Sequence, residues 1–124
     1  MKIVVDSSML IDYLRGGTKW GEFVVNVEKE AELILPTIVI FELFSGQSTK
    51  NSQKKQDMID FINKFQRMDL SEDIAVRAGE LSRDIKFKME VPDYIIAASA
   101  LRIDAQVLTL NIKHFRQIPN LRIY

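Results

Sequence analysis

Cysteine and long apolar runs are both absent from this sequence of 124 residues. Without cysteine the chain can form neither disulfide bonds nor a thiolate metal site, which is typical of proteins in a reducing cytoplasm. The most apolar stretch, residues 33–44, contains Pro36 and Glu42 and is too short to cross a bilayer. Asp6 interrupts the apolar start before the core of a signal peptide could form. We therefore expect a soluble cytoplasmic protein with no membrane partner.

An excess of charge of one sign is also absent, because seventeen basic residues are balanced by seventeen acidic residues. A neutral chain has little general attraction to nucleic-acid phosphates, since that attraction rests on neutralising them. A local basic patch beside an acidic pocket is still compatible with this balance. Net charge therefore disfavours broad, non-specific nucleic-acid binding and settles little else.

Short apolar stretches of strand type alternate with stretches of helical periodicity along the chain. The alternation predicts one domain over residues 1–124, with a three-layer α/β/α fold around a mostly parallel sheet of four to five strands. Trp20 and Phe23 lie at helical spacing, and we interpret them as core residues rather than as a partner-binding face. The predicted strands are Ile3–Val5, Leu33–Pro36, Met68–Leu70, Gln106–Thr109 and Leu121–Tyr124.

The first fourteen residues combine a strand, an acid and a helix. Ile3–Val5 is a β-branched run typical of a strand buried on both faces, and Asp6 follows it directly. Ser7 or Ser8 can cap the helix that begins there. Ligands of open parallel sheets bind at the carboxyl ends of the strands, so Asp6 lies where chemistry is expected. The alternative is that Asp6 only caps the helix.

Two further acids occupy similar positions. Glu42 lies in an apolar helix after the second predicted strand, and Asp93 begins the helix before the fourth. If the first and fourth strands are neighbours, all three acids converge on one end of the sheet. Carboxylates about 4 Å apart repel by roughly 4 kcal/mol at an effective dielectric near 20, and a divalent cation relieves that repulsion. Oxygen ligands without cysteine favour Mg²⁺ or Mn²⁺.

Each of these residues also has a structural interpretation. Asp6 and Asp93 can be helix caps, Glu42 can be the buried partner of an arginine, and Asn111 can be a turn residue or a cap. Three lysines of the polar stretch after Gly46 can approach phosphates, although solvated surface lysines are commoner; they are Lys50, Lys54 and Lys55.

Four sequence blocks, spread over essentially the whole chain, resemble those of PIN-domain proteins in the same order. The resemblance is closest to the VapC-type toxin ribonucleases of bacterial and archaeal toxin–antitoxin pairs. The blocks are Ile3–Leu14, Ile40–Gly46, Pro92–Ala98 and Leu108–Phe115.

This resemblance implies an endoribonuclease that depends on Mg²⁺ or Mn²⁺, with Asp6, Glu42 and Asp93 as metal ligands and catalytic residues. Asn111 falls in the block of the family's fourth catalytic position, where an acid is frequent. His114 stands where many relatives have aspartate, and we interpret it as a surface or capping residue. Ser8 matches a hydroxyl residue that hydrogen-bonds within the acidic site.

The resemblance also implies partners. The substrate would be RNA, and a small VapB-like antitoxin would silence the enzyme by docking a segment near the acidic pocket, in several such pairs with an arginine in the pocket. The family usually forms homodimers or antitoxin-bound hetero-oligomers. Asp12 matches a frequent aspartate, which we interpret as structural.

Two other functions compete with this interpretation. A haloacid-dehalogenase-like phosphatase also begins with a strand and an aspartate, but it needs a second aspartate where this chain has Ser8. A catalytically weak PIN-like module that binds RNA or protein is the stronger rival, because Asn111 replaces an acid.

Overall fold

The computed structural model describes all 124 residues, Met1–Tyr124. Five strands form one sheet in which every neighbouring pair is parallel. In chain order they are β1 (Lys2–Val5), β2 (Glu32–Pro36), β3 (Gln66–Met68), β4 (Gln106–Leu108) and β5 (Arg122–Ile123). Across the sheet the order is β3-β2-β1-β4-β5.

Helices flank this sheet, which confirms the predicted α/β/α fold with a parallel centre. A short 3₁₀ turn, Gln47–Lys50, follows the third helix. No helix is both long enough and apolar enough to traverse a bilayer. The helices are α1 (Ser7–Leu14), α2 (Lys19–Asn26), α3 (Thr37–Phe44), α4 (Ser52–Ile62), α5 (Glu72–Asp84), α6 (Val91–Arg102) and α7 (Ile112–Phe115).

The central strand β1 positions the functional edge of the sheet. It pairs with β2 on one side and with β4 on the other, with Val5 opposite Leu108. The Asp6 N–H then donates to the Leu108 carbonyl at 2.9 Å. From β1 the chain adds β2 and β3 on one side of the sheet, and then β4 and β5 on the other side of β1. The direction in which strands are added therefore reverses between β1 and β4. Ligand crevices of open parallel sheets form at such a point.

The core is apolar and continuous, as the sequence pattern predicts. Ile3, Val4 and Val5 have no solvent exposure, and α6 is buried along most of its length. Trp20 and Phe23 belong to this core, because both are buried and their ring centroids lie 5.2 Å apart. The core interpretation of these two aromatic residues is confirmed.

Two predicted elements are displaced by two residues. The third strand ends at Met68 because Leu70 is exposed and the Ser71 hydroxyl caps α5 by accepting from the Ile74 N–H. The last long helix starts at Val91, two residues before Asp93, because Pro92 lies in its first turn, where a missing N–H does no harm.

Candidate metal centre

Asp6 lies at the switch point between β1 and β4 and is almost fully buried, with 1% of its surface exposed. Its Oδ2 accepts two hydrogen bonds, from Ser8 Oγ at 2.8 Å and from Thr109 Oγ1 at 2.7 Å. Asp6 occupies the N-cap position of α1 without making a side-chain cap bond. The capping interpretation of Asp6 is therefore wrong, and so is the expectation that Ser7 or Ser8 caps this helix.

The two hydroxyl groups are themselves held by the backbone. Ser8 Oγ accepts from the Leu110 N–H at 2.9 Å, and Thr109 Oγ1 accepts from the Asn111 N–H at 2.9 Å. Because each oxygen already accepts a backbone N–H, its own O–H proton is free to donate to Asp6. The segment after β4 thus fixes one oxygen of this carboxylate in place.

Glu42 projects from α3 and is partly buried, and its Oε1 has no hydrogen-bond partner. Burial, followed by the neighbouring charge of Asp6, raises the pKa of Glu42 from 4.5 to about 7, while the Ser7 hydroxyl counteracts a part of that rise. Buried polar atoms nearly always have a hydrogen-bond partner, so the unpaired Oε1 of Glu42 is unusual and is compatible with a ligand that binds there. Glu42 forms no ion pair with an arginine, which makes that alternative wrong.

Asp93 lies in the first turn of α6, where Glu90 and not Asp93 occupies the N-cap position. Burial, and after it the charge of Asp6, raises the pKa of Asp93, and a contact with His114 opposes that rise. His114 Nδ1 lies 3.3 Å from Asp93 Oδ2. His114 lies partly at the surface, as expected, with 38% of its side chain exposed, and the short helix α7 also turns its ring towards this acid.

Asp6 therefore acts electrostatically on both other carboxylates, and Asp93 also raises the pKa of Glu42. The unpaired Glu42 oxygen and the mutual repulsion are the features that a divalent cation would relieve, and oxygen donors of this kind suit Mg²⁺ or Mn²⁺. No three acidic or histidine side chains form a ready-made metal cage. The donor set fits an ion that keeps several of its waters, as Mg²⁺ usually does.

A comparison with protein families shows which family this fold belongs to. Residues 3–121 match the model of the PIN domain. The chain belongs to the PIN domain family.

Curated relatives and solved structures agree with this assignment. The chain is 31% identical over 123 residues to Ribonuclease VapC10 of Mycobacterium tuberculosis, covering 97% of this chain and 90% of that protein. A toxin–antitoxin complex from Klebsiella pneumoniae is 25% identical with a TM-score of 0.79, covering 96% of this chain and 94% of that one. VapBC2 from Rickettsia felis, solved with a promoter DNA fragment, has a TM-score of 0.88 at 23% identity over 100% and 98% of the two chains, which shows the shared fold.

The structure does not bring every residue of the predicted site of this PIN domain together, and a catalytic role of Asn111 stays a prediction. Asn111 is exposed, and its side chain makes no hydrogen bond to Asp6, Glu42 or Asp93, although its backbone N–H holds Thr109. Asp12 lies outside the site and accepts the Lys19 N–H at 3.3 Å in the turn between α1 and α2, as its structural interpretation expects. Lys50 and Lys55 are exposed, while Lys54 lines a groove next to Glu42.

Sequence reasoning missed the role of Thr109 in this PIN domain. In the sequence Thr109 is only the last residue of a predicted strand. A hydroxyl residue at the end of one strand, next to a strand that is followed by aspartate, could however have indicated a hydrogen bond to that aspartate. The contact of His114 with Asp93 had no such signal, because α7 has only four residues. The hydroxyl of Ser8 also favours a PIN domain over a phosphatase, since it donates to Asp6 where the phosphatase would need a second acid.

Proposed function

We propose that this PIN domain is a metal-dependent endoribonuclease and the toxin of a toxin–antitoxin pair. The observation that carries the proposal is the electrostatic coupling of three carboxylates at one edge of the sheet, with an unpaired oxygen on Glu42. The names of the relatives support it, because VapC10 and VapC19 of Mycobacterium tuberculosis are called ribonucleases.

In this mechanism Asp6, Glu42 and Asp93 hold Mg²⁺ or Mn²⁺, directly or through its waters. When bound, such an ion supplies a water of lowered pKa and positive charge beside the scissile phosphate. Asp6 keeps its carboxylate fixed through the Ser8 and Thr109 hydroxyls, so its charge needs no reorganisation. Glu42 contributes only when ionised, and the cation would lower its raised pKa.

The first prediction is that RNA cleavage by the purified protein depends on a divalent cation. Treatment with EDTA should abolish cleavage of a labelled single-stranded RNA, and excess Mn²⁺ or Mg²⁺ should restore it, because the three carboxylates repel one another without a cation. Product analysis by denaturing electrophoresis checks this result. Cleavage that survives EDTA would contradict the metal mechanism, and absence of cleavage with any cation would favour the RNA- or protein-binding module.

A groove beside Glu42 supports the proposed antitoxin partner. It has a volume of about 700 Å³, and its lining combines four apolar side chains with polar and charged ones. A peptide segment could bury apolar side chains there and place a basic group near the acids, where an arginine would pair with carboxylates. Whether the chain forms a homodimer or a hetero-oligomer with this partner stays a prediction. The groove is lined by Ile11, Leu14, Arg15, Glu42, Leu43, Gly46, Gln47, Ser48, Lys54, Asp57 and Met58.

The second prediction tests this groove with Leu14→Glu. Leu14 is 39% exposed in the groove, and a charge there should weaken docking of an apolar segment by at least tenfold, since an apolar contact is replaced by a charge that must lose its water on docking. The variant should cleave RNA like the wild type but escape inhibition by a co-produced small protein encoded beside the gene. Val76→Glu is the control, because Val76 is 58% exposed on α5, away from the groove. Equal inhibition of both variants would argue against this docking site.

A further inference from the structure

His114 contacts the candidate metal centre in a way that the proposed mechanism does not use. Its Nδ1 lies 3.3 Å from Asp93 Oδ2, although the two residues are 21 positions apart in the chain. The His114 side chain is 38% exposed, and the Phe87 ring packs beside it with a centroid separation of 5.7 Å. The imidazole is therefore held between an aromatic ring and a buried acid, with one edge open to solvent.

The backbone beneath His114 is firmly placed. Phe115 is fully buried, and Ile118 is 3% exposed, so both anchor α7 in the core. The N–H groups of His114 and Phe115 both donate to the Asn111 carbonyl, at 3.1 and 3.3 Å. Asp93 is equally fixed, because it lies in the first turn of the buried helix α6. Two rigid elements thus present the imidazole to the carboxylate.

A contact between imidazole and an ionised carboxylate requires a proton on the facing nitrogen, because a carboxylate only accepts hydrogen bonds. With Nδ1–H donating to Oδ2, the second oxygen of Asp93 is left for another ligand. Hydrogen bonds of this kind orient metal-binding carboxylates, and removing the donor typically weakens metal affinity about 10- to 100-fold.

We infer that His114 is a positioning residue, whose Nδ1–H holds one oxygen of Asp93 and leaves the other for the divalent cation. The inference rests on the proposed metal-dependent function and adds a residue to it. His114 acts through Asp93 and is not itself a ligand of the cation. It also differs from the hydroxyl pair at Asp6, since it restrains a different carboxylate from a different segment.

The test compares Mn²⁺ affinity in the full chain and in four variants, measured by the electron paramagnetic resonance signal of free Mn²⁺. His114→Ala removes the donor and should weaken binding about tenfold. His114→Asn keeps a nitrogen on Cγ, where Nδ1 is attached, and should restore most of the affinity. His114→Gln moves the nitrogen one bond further out and should not. Lys113→Ala, on the same short helix, should bind like the wild type.

A second readout follows the imidazole directly. Nitrogen NMR of the wild type should show the tautomer protonated at Nδ1, and pulsed electron paramagnetic resonance should show no nitrogen coupling to bound Mn²⁺. Equal affinity of the Ala, Asn and wild-type forms would overturn the inference, and a nitrogen coupling would replace it with direct ligation. If the wild type binds no Mn²⁺, the proposed function fails too, which separates that outcome from a failure of the His114 role alone.

Discussion

Asp6→Asn should lose at least about 100-fold in RNA cleavage while the protein stays folded, which corresponds to roughly 2.7 kcal/mol of transition-state stabilisation. The fold should survive because the Asn Oδ1 can take the place of Asp6 Oδ2 and accept from the Ser8 and Thr109 hydroxyls. Activity should fall because the negative charge shared with Glu42 and Asp93 is gone. Single-turnover cleavage of a labelled RNA with Mn²⁺ measures the loss.

The same variant should change the titration of the two neighbouring acids. The charge of Asp6 is the second cause, after burial, of the raised pKa of Glu42 and of Asp93. Without that charge both pKa values should move down towards the ordinary range of carboxyl groups, a shift that carboxyl ¹³C NMR can follow in the metal-free protein. A structural defect alone would not produce this pattern.

Asp12→Asn is the matched control for Asp6→Asn. The chemical change is identical, and Asp12 lies on the helix that follows Asp6, but it contacts only the turn to α2, through the Lys19 N–H. It should cleave RNA at close to the wild-type rate. If Asp6→Asn is as active as the wild type or as this control, the mechanism proposed for the carboxylate centre is wrong.

The sequence predicts the scaffold of this site better than its details, for a physical reason. Buried parallel strands need runs such as Ile3–Val5, and a polar residue that ends such a run, like Asp6, lies at the ligand edge of the sheet. Both signals are local. The parallel order of the strands follows from their alternation with helices, and the structure agrees with it. The sequence left open whether β1 and β4 are neighbours, and the structure pairs them.

The parts that sequence reasoning missed depend on contacts between distant segments. Thr109 reaches Asp6 across 103 positions only because β1 and β4 pair in the register that sets Val5 opposite Leu108. No local pattern fixes that register to one residue, and a slip of one would turn the side chain away. The contact of His114 with Asp93 likewise depends on how the buried Phe115 packs the four-residue helix α7 against the core. The raised pKa of Glu42 depends on burial, which the alternation of residue types indicates only coarsely.

Glu42→Gln should stabilise the metal-free protein at pH 8 by about 1–2 kcal/mol. The pKa of Glu42 is about 7 in the folded chain against an ordinary 4.5, so between these values the folded state holds a proton that the unfolded state releases. Stability of the wild type therefore falls as the pH rises from about 4.5 to 7, and the loss is complete above 7. The expected size is below the full 1.36 kcal/mol per pKa unit because Glu42 is only partly buried and solvent screens its charge.

Glutamine escapes this penalty because it stays neutral at every pH. Urea unfolding in EDTA should therefore show equal stability of the two proteins near pH 4, where Glu42 is protonated in both states, and a growing advantage of the variant towards pH 8. Glu28→Gln, at an exposed glutamate, should follow the wild type throughout.

Divalent cations should reduce or reverse the stability advantage of Glu42→Gln over the wild type. A ligand that binds only the folded state adds stability of RT ln(1 + [L]/Kd), and the wild type offers a carboxylate where the variant offers a weaker amide oxygen. At pH 8 saturating Mg²⁺ should raise the stability of the wild type more than that of Glu42→Gln. If Mg²⁺ stabilises both proteins equally, Glu42 is not a ligand of the cation. If the variant gains nothing at pH 8 in EDTA, its carboxylate carries no electrostatic penalty, and the coupling inferred for this edge of the sheet is wrong.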